Sequence, residues 1–324
     1  MDLSIVIPCF NEAANVCRLE QQLLPVVRAQ ASLRSVEVIF VDDGSTDGTA
    51  QALDDTFGNR NEPPHFTFVV ARHRTNRGLG AALRSGFAAA QGQVVVTTDS
   101  DGTYAFSEIP VLLSYLGPEI DVVTASLHHP AGGVDGVAAY RVLLSRGASA
   151  IYRLLVDWQL HTYTALFRAI RRRVIEQVVV ESDGFLGVTE FLVKARLMGF
   201  RIAEYPAVLR TRTAGESKLR TTRVVLAHLG FQRRVLMHRL HVMDLVDRRH
   251  DGRYHHRRIR RRPSRRHAVQ GRGPRRRGER RHGPGRALLM RRRKARFHRD
   301  PRKCLLARER KPVRIRGTLR RFIS

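Results

Sequence analysis

The chain has 324 residues, with 58 lysines and arginines against 29 aspartates and glutamates, so its formal net charge is +29. Hydrophobic residues make up 43% of it, which is enough for a sizeable core and excludes a chain that is disordered throughout. The charge is concentrated at one end. Residues 241–324 hold 32 basic and 6 acidic residues, whereas residues 1–240 hold 26 basic and 23 acidic residues.

Short β-branched runs alternate with helical stretches in the first half of the chain. Strands are predicted over 3–8, 36–41, 66–71, 93–98 and 120–125, and helices over 11–30, 47–57, 77–91 and 106–116. Near-continuous apolar strands suit a parallel sheet that is covered on both faces. Alternation of strand and helix favours right-handed crossovers. The pattern therefore predicts an α/β fold with a mostly parallel, doubly wound sheet.

The following part of the chain is mostly helical. Helices are predicted over 138–155, 186–199 and 219–240, with a short strand over 201–206. The first of these helices is basic and amphipathic. Trp158, which follows it, is expected in the core.

Residues 241–324 mix arginine runs with glycine and proline, and no hydrophobic periodicity survives there. Like charges repel and little apolar surface can be buried, so the composition predicts a disordered tail. Its charge would suit nucleic acid or an anionic membrane surface, but few aromatic residues and no recognition motif disfavour nucleic acid. A frameshifted, non-native extension is a third hypothesis, because the composition changes abruptly.

The cysteines and the apolar runs bear on the compartment. Cys9, Cys17 and Cys304 are too few and too scattered for a disulfide framework or a metal-ligand spacing, which makes a reducing compartment the default. The N-terminus lacks the features of a signal peptide, and no apolar run approaches the ~18–20 residues that span a bilayer. We therefore expect a cytoplasmic protein, with any membrane contact peripheral and at the inner face of the cell membrane.

Polar motifs follow three of the predicted strands: PCFNE after the first, DDGSTDGT after the second and DSDGT after the fourth. Ligands of doubly wound folds bind beyond the carboxyl ends of the strands, where these motifs lie. Asp42 and Asp43, taken alone, also fit turn and capping chemistry. Asp99 and Asp101 repel each other unless they are solvated or neutralised, and a hard divalent cation neutralises them and can hold a diphosphate.

Taken together, the motifs resemble the family 2 glycosyltransferases with the GT-A fold, most closely the dolichyl- or polyprenyl-phosphate sugar transferases. The resemblance covers about residues 1–235 and rests on IPCFNE, VDDGSTDGT, NRGLGAALRSGF, DSDGT, YRVLLSRGAS and AEYPAVLRTRTAGESKLR. It implies a GT-A domain over 1–235, followed by the Arg-rich tail over 241–324. It also implies an inverting enzyme that moves a sugar from a nucleotide-diphosphate sugar to a polyprenyl phosphate at a membrane surface.

The resemblance assigns roles to individual residues. Those expected to bind the nucleotide sugar are Pro8, Phe10, Glu12, Asp42, Asp43, Asp99, Asp101, Arg212 and Lys218. Asp99 and Asp101 would also hold Mg²⁺ or Mn²⁺, and Asp101 is a candidate catalytic residue. Thr103 stands where the family often has glutamine, and it is the third candidate metal ligand.

A second set of residues concerns the acceptor phosphate. Arg141 and Ser145 match the arginine and serine that contact the lipid phosphate in such transferases. Residues at i and i+4 share a helix face, and an arginine grips phosphate with two bonds. An amphipathic surface helix is the alternative. The family's earlier arginine is absent, and Leu127 and His128 stand near its place.

Two carboxylates, Glu190 and Asp183, remain as candidate general bases. A sugar hydroxyl would need such a base, whereas a lipid phosphate is already ionised, and Glu190 would then only orient the site. Two rivals therefore stay open. One is a transferase with a hydroxyl acceptor in polysaccharide or glycolipid synthesis, and the other is a basic protein that binds nucleic acid through its tail.

Overall fold

A computed structural model of the chain describes residues 1–58, 60, 62–211 and 221–246. Two of the candidate nucleotide-sugar residues, Arg212 and Lys218, lie outside these ranges. The predicted tail also lies outside them, except for its first six residues, 241–246.

A seven-stranded sheet forms the centre of the described chain. Its strands are β1 (Leu3–Cys9), β2 (Val36–Asp42), β3 (Phe66–Arg72), β4 (Val94–Thr97), β5 (Val122–Ser126), β7 (Arg168–Arg171) and β8 (Ile202–Pro206). The spatial order is β3-β2-β1-β4-β7-β5-β8, and β6 (Gly133–Asp135) pairs separately with β9 (Val208–Arg210). All pairs in the large sheet are parallel except those of β7, which is antiparallel to β4 and β5. The predicted mostly parallel α/β fold is confirmed.

Helices cover the sheet and extend beyond it. They are α1 (Ala13–Arg18), α2 (Leu24–Ala31), α3 (Thr49–Leu53), α4 (Leu79–Ala89), α5 (Ile109–Ser114), α6 (Ala139–Leu155), α7 (Arg172–Gln177), α8 (Leu186–Leu197) and α9 (Thr221–Arg239). A π-helical turn, Leu19–Leu23, joins α1 to α2, so the helix predicted over 11–30 is one interrupted segment. Within the described residues, no helix is long and apolar enough to cross a bilayer.

Alternate residues of the central strands pack into different clusters. Ile5 and Ile7 of β1 lie in a large cluster with Val27 of α2, whereas Val6 packs with Ala82 of α4. Successive side chains of a strand point to opposite faces, so both faces of the sheet are buried under helices. The near-continuous apolar strands of the sequence are the consequence of this double burial.

The register brings the carboxyl ends of three strands to one edge of the sheet. Cys9 of β1 is opposite Asp42 of β2, and Val6 of β1 is opposite Thr97 of β4. The turns that follow β1, β2 and β4 therefore start side by side. This edge carries the three polar motifs.

Helices α6 and α9 pack against each other. The side chain of Gln232 donates to the carbonyl of Ala148 at 3.4 Å, and Arg239 Nε donates to the carbonyl of Leu155 at 2.8 Å. The expectation that Trp158 belongs to the core is wrong. It is 74% exposed, and the Arg153 guanidinium lies 5.1 Å from its ring centre.

Candidate active site

The turn after β1 is bonded to the turn after β2. The backbone N–H of Asn11 donates to Ser45 Oγ at 2.9 Å, and that of Thr46 donates to Asn11 Oδ1 at 2.8 Å. The N–H of Glu12 donates to Thr49 Oγ1 at 2.8 Å. These bonds bring the PCFNE and DDGSTDGT motifs into one wall. Pro8, Phe10 and Glu12 are each half-buried in it.

Asp42 and Asp43 both lie at the end of β2, and each is 3% exposed. Asp42 Oδ1 accepts a hydrogen bond from the backbone N–H of Ser45 at 3.1 Å. This is the turn chemistry that the DGST sequence favours. Asp42 therefore shapes the turn whether or not it contacts a nucleotide.

Asp43 anchors the segment that follows β3. Its Oδ1 lies 2.6 Å from His73 Nδ1 and accepts the backbone N–H of Arg77 at 2.9 Å, while its Oδ2 accepts the N–H of Gly78 at 2.7 Å. His73 Nε2 in turn lies 2.8 Å from Ser85 Oγ on α4. Both carboxylate oxygens of Asp43 are thus engaged inside the protein, and its contact with a nucleotide stays a prediction.

A side chain of α1 stabilises the acidic turn after β4. Arg18 Nη1 donates to the carbonyl of Asp101 at 2.9 Å. Gly102 has a φ of +65°, and a Cβ there would lie 2.9 Å from Arg18 Cζ. Asp101 is 1% exposed, and its Oδ1 accepts the backbone N–H of Thr103 at 3.0 Å and also the Thr103 hydroxyl. Asp99 is half-buried.

A cavity of about 730 Å³ joins this turn to helix α6. Asp99 and Thr103 line it, as do Arg141, Ser145 and Thr164. Its apolar lining includes Leu127, Leu144, Ile151, Leu166, Val188 and Leu229. Two groups of predicted residues, the acidic turn and the acceptor pair, therefore meet in one largely apolar space.

Glu190 does not face that cavity. Its side chain is fully buried, its Oε1 lies 2.6 Å from Lys194 Nζ, and it accepts the backbone N–H groups of Glu181 at 3.0 Å and Ser182 at 2.8 Å. Internal donors therefore hold both oxygens of Glu190, which favours the alternative that it only orients the site, and its role as a general base stays a prediction. Asp183 forms an ion pair with Arg84, and the Asp183 side chain is 64% exposed.

Sequence reasoning missed three supporting residues: Arg18, His73 and Arg168. Arg168 is 2% exposed and donates to Thr124 Oγ1 at 3.2 Å and to the carbonyl of Val188 at 2.6 Å. Burial lowers the pKa of Arg168 to about 9. Arg18 and His73 act on backbone or side chains far away in the sequence, which gives no local signal. An arginine inside the apolar run LFRAI was a signal that could have been used.

The sheet and the polar edge beyond its parallel strands define a GT-A-like transferase fold. The family model described as glycosyl transferase family 2 matches residues 4–179. The chain therefore belongs to glycosyl transferase family 2, as the motifs predicted, and it is a transferase.

Two curated relatives are similar to most of the chain. Polyprenol monophosphomannose synthase of Mycolicibacterium smegmatis is 32% identical over 224 residues, which cover 66% of this chain and 80% of the relative. Dolichol-phosphate mannosyltransferase of Pyrococcus furiosus is 29% identical over 222 residues, which cover 68% of this chain and 60% of the relative. The alignment thus leaves a large part of the second relative unmatched.

Solved structures also share the fold. Glucosyl-3-phosphoglycerate synthase from Mycobacterium tuberculosis, in complex with Mn²⁺, uridine-diphosphate and glucosyl-3-phosphoglycerate, has a TM-score of 0.52 and 23% identity. The match covers 75% of this chain and 81% of that one. An identity this low supports the common architecture only.

Proposed function

We propose that this chain transfers a sugar from a nucleotide-diphosphate sugar to a polyprenyl phosphate, with inversion at the anomeric carbon. The observation that carries the proposal is the shared cavity. It is lined by Asp99 and Thr103 from the acidic turn and by Arg141 and Ser145 from α6. A donor diphosphate and an acceptor phosphate placed at these two ends would meet inside it.

The donor would lie along the polar edge of the sheet. The wall of the donor site would consist of Pro8, Phe10 and Glu12, together with the turn that Asp42 shapes. Asp43 would contribute by holding the segment after β3 in place. Arg212 and Lys218 remain candidates for charge stabilisation of the leaving diphosphate, since cations there would favour bond breakage.

The acidic turn fits a divalent cation. Asp99, Asp101 and Thr103 offer hard oxygen donors, which suit Mg²⁺ or Mn²⁺. In the described residues no group of three or more His, Cys, Asp or Glu side chains is placed to hold a metal by itself. Mg²⁺ is commonly bound through one or two carboxylates together with substrate phosphates, so a two-carboxylate turn is sufficient. The bound cation would offset the negative charge of the leaving diphosphate.

The acceptor end of the cavity suits a phosphate on an apolar chain. Arg141 and Ser145 stand one helical turn apart on α6, and both line the cavity. The remaining lining is mostly apolar, which suits an isoprenoid chain. An ionised phosphate oxygen attacks without a general base, which agrees with the internal position of Glu190.

Exposed apolar side chains of α6 and α9 favour peripheral contact with a membrane. They are Tyr140, Leu143, Leu144, Ile151 and Leu154 on α6, and Leu226, Leu229 and Leu236 on α9. Five of them, Tyr140, Leu143, Leu144, Ile151 and Leu229, also line the cavity, so the patch continues into it. We call these eight residues the apolar face. Exposed apolar patches of this kind mark interaction sites. A polyprenyl acceptor resides in the bilayer, so the cavity between these helices would open toward its lipid.

The relatives support the same assignment. One is named a polyprenol monophosphomannose synthase and the other a dolichol-phosphate mannosyltransferase. Both names contain a polyprenol-type phosphate and mannose, so a nucleotide-activated mannose is the first donor to test. A hydroxyl acceptor is the weaker alternative, because its candidate base Glu190 is enclosed.

The test is a transfer assay with nucleotide sugars, Mg²⁺ or Mn²⁺ and a polyprenyl phosphate, followed by mass spectrometry of the lipid product. We expect a glycosyl phosphate lipid, and we expect Asp99→Asn to lower kcat/KM by at least about a hundredfold, because charge stabilisation of a leaving group is usually worth that much. Glu119→Gln, on an exposed ion pair with Arg201, is the matched control. Product formed on a hydroxyl compound instead, or full activity of the Asp99 variant, would refute the proposal.

A further inference from the structure

A chain of hydrogen-bonding side chains lies behind the acceptor end of the cavity. His128 Nε2 lies 3.1 Å from Ser145 Oγ, and Ser145 Oγ lies 2.7 Å from Thr164 Oγ1. The backbone N–H of His128 donates to Thr162 Oγ1 at 3.1 Å, which fixes the start of the chain. These bonds connect three separate segments: the residues that follow β5, helix α6 and the residues that precede β7.

The three side chains do not have equal access to the cavity. Ser145 and Thr164 line it, whereas His128 is not among the lining residues and is bonded to the Ser145 hydroxyl. His128 therefore reaches a bound phosphate through Ser145. Arg141 lines the same cavity one helical turn before Ser145.

The serine hydroxyl has one proton to give. A hydroxyl carries one donor and two acceptor lone pairs. If His128 Nε2 accepts from Ser145, that proton is consumed and the serine has none for a phosphate. If Nε2 carries a proton and donates to Ser145 Oγ, the serine proton is left for Thr164 Oγ1 or for a phosphate in the cavity.

We propose that His128 is a positioning residue for the phosphate acceptor, which donates from Nε2 to Ser145 Oγ and so turns the Ser145 hydroxyl toward a phosphate monoester held beside Arg141. This inference rests on the proposed function. The histidine acts indirectly, by directing a donor that already lines the cavity.

The charges around His128 agree with this role. Burial, and then the nearby Arg146, lower the pKa of His128; His161 acts in the same direction, and Glu204 opposes them. His161 is itself paired with Glu204 at 2.6 Å. The lowered pKa favours a neutral ring, which does not compete with Arg141 as a second cation. A neutral ring still donates to Ser145 when its proton is on Nε2, and an anionic phosphate beside Ser145 would favour that tautomer.

The test uses a water-soluble acceptor, farnesyl phosphate, with the full-length chain. We expect His128→Leu to raise the KM for farnesyl phosphate about tenfold, the usual worth of a hydrogen bond to a charged group, with kcat and the donor KM changed less than about twofold. His128→Gln places an amide nitrogen near the Nε2 position and is expected to restore most of the loss. His129→Leu is the matched control, because the His129 ring packs against His161 and its Nδ1 accepts the N–H of Ala131.

A double-mutant cycle with Ser145→Ala decides whether His128 acts through the serine. We expect His128→Leu to have no further effect on the acceptor KM once Ser145 is alanine. If His128→Leu does not fold, His128→Asn replaces it, because the shorter amide does not reach Ser145. Independent, additive effects, or a His128→Leu enzyme with wild-type acceptor KM, would overturn the inference. Absence of transfer by the wild-type chain would instead overturn the proposed function.

Discussion

At the scale of single residues, the site depends on side chains that stabilise its turns from outside the motifs. Arg18 reaches from α1 to the carbonyl of Asp101, and its guanidinium occupies the space where a Cβ of residue 102 would lie. Gly102 meets two demands at once, since its φ of +65° favours glycine and its missing side chain admits Arg18. The acidic turn is therefore stabilised by Arg18, which lies 83 residues before Asp101 in the sequence.

Glu190 and Lys194 form a buried ion pair that can be tested separately from catalysis. Burial raises the pKa of Glu190, but the bonds from Lys194, Ser182 and Glu181 outweigh it, and the net pKa is lowered. A lowered folded-state pKa means that the stabilisation is present above the unfolded pKa and is lost as the pH falls through the folded value. We expect Glu190→Gln to lower the free energy of unfolding by about 3 kcal/mol at neutral pH, because it removes the closer of the two carboxylate partners of the buried Lys194 and leaves Glu181 at 3.5 Å.

The measurement is urea unfolding of both proteins across acidic and neutral pH. The difference between wild type and Glu190→Gln should shrink as the pH falls, since the wild-type carboxylate then becomes protonated as well. Glu119→Gln serves as the control, with an expected loss below about 1 kcal/mol for an exposed pair. Unchanged stability together with a large fall in kcat would favour the role of general base for Glu190.

At the scale of elements, the sequence predicted the parallel part of the sheet and the places of its polar turns. The strands over 3–8, 36–41 and 66–71 are found within one residue, because the first two are continuous apolar runs that are almost fully buried and the third is an apolar run at the edge of the sheet. Strand β7 was not predicted. It has only four residues, and its place between β4 and β5 depends on long-range pairing that leaves no local pattern.

The candidate site was also predicted only in part from the sequence. The sequence predicted that the turns after β1, β2 and β4 would lie together, since parallel strands share one carboxyl edge. It did not show that Glu190 is internal. Helix α8 is buried over nine successive residues, from Gly187 to Ala195, so both of its charged residues in that stretch must pair inside. The spacing of Glu190 and Lys194 at i and i+4 within an apolar run was the available signal.

The apolar face of α6 and α9 allows the proposed membrane contact to be tested. Leu154 is 86% exposed and Leu226 is 68% exposed, and neither lines the cavity. We expect Leu154→Glu and Leu226→Glu each to weaken binding to phosphatidylcholine vesicles about tenfold, because an apolar side chain moved out of water contributes about 1.5–3 kcal/mol. Uncharged vesicles keep the basic residues of the chain from dominating the result.

The matched control for these variants is Leu33→Glu, since Leu33 is 74% exposed just after α2. Vesicle sedimentation at constant protein concentration measures the partition. Equal weakening by all three substitutions would mean that no particular surface contacts the bilayer, and the proposal of an apolar face would then fail.

At the scale of the whole molecule, the boundary between the folded domain and the basic tail lies beyond the place that composition suggests. The charge changes near residue 241, but Leu245 and Val246 are 7% and 5% exposed. Leu245 packs in the cluster that contains Phe231 and Val235 of α9, and its backbone N–H donates to His238 Nδ1 at 3.2 Å. The segment 241–246 therefore belongs to the packed domain.

Two truncations test this boundary. A chain that ends at residue 246 should unfold at a temperature close to that of the full chain and should keep sugar transfer, while any affinity for DNA that depends on the basic tail should disappear. A chain that ends at residue 240 loses two buried aliphatic side chains, which we expect to cost about 3 kcal/mol and to lower Tm by about 6–12 °C. Calorimetry and a transfer assay on both chains distinguish the outcomes. Equal Tm values for the two truncations would place the boundary at 240, because Leu245 and Val246 would then add nothing to the core.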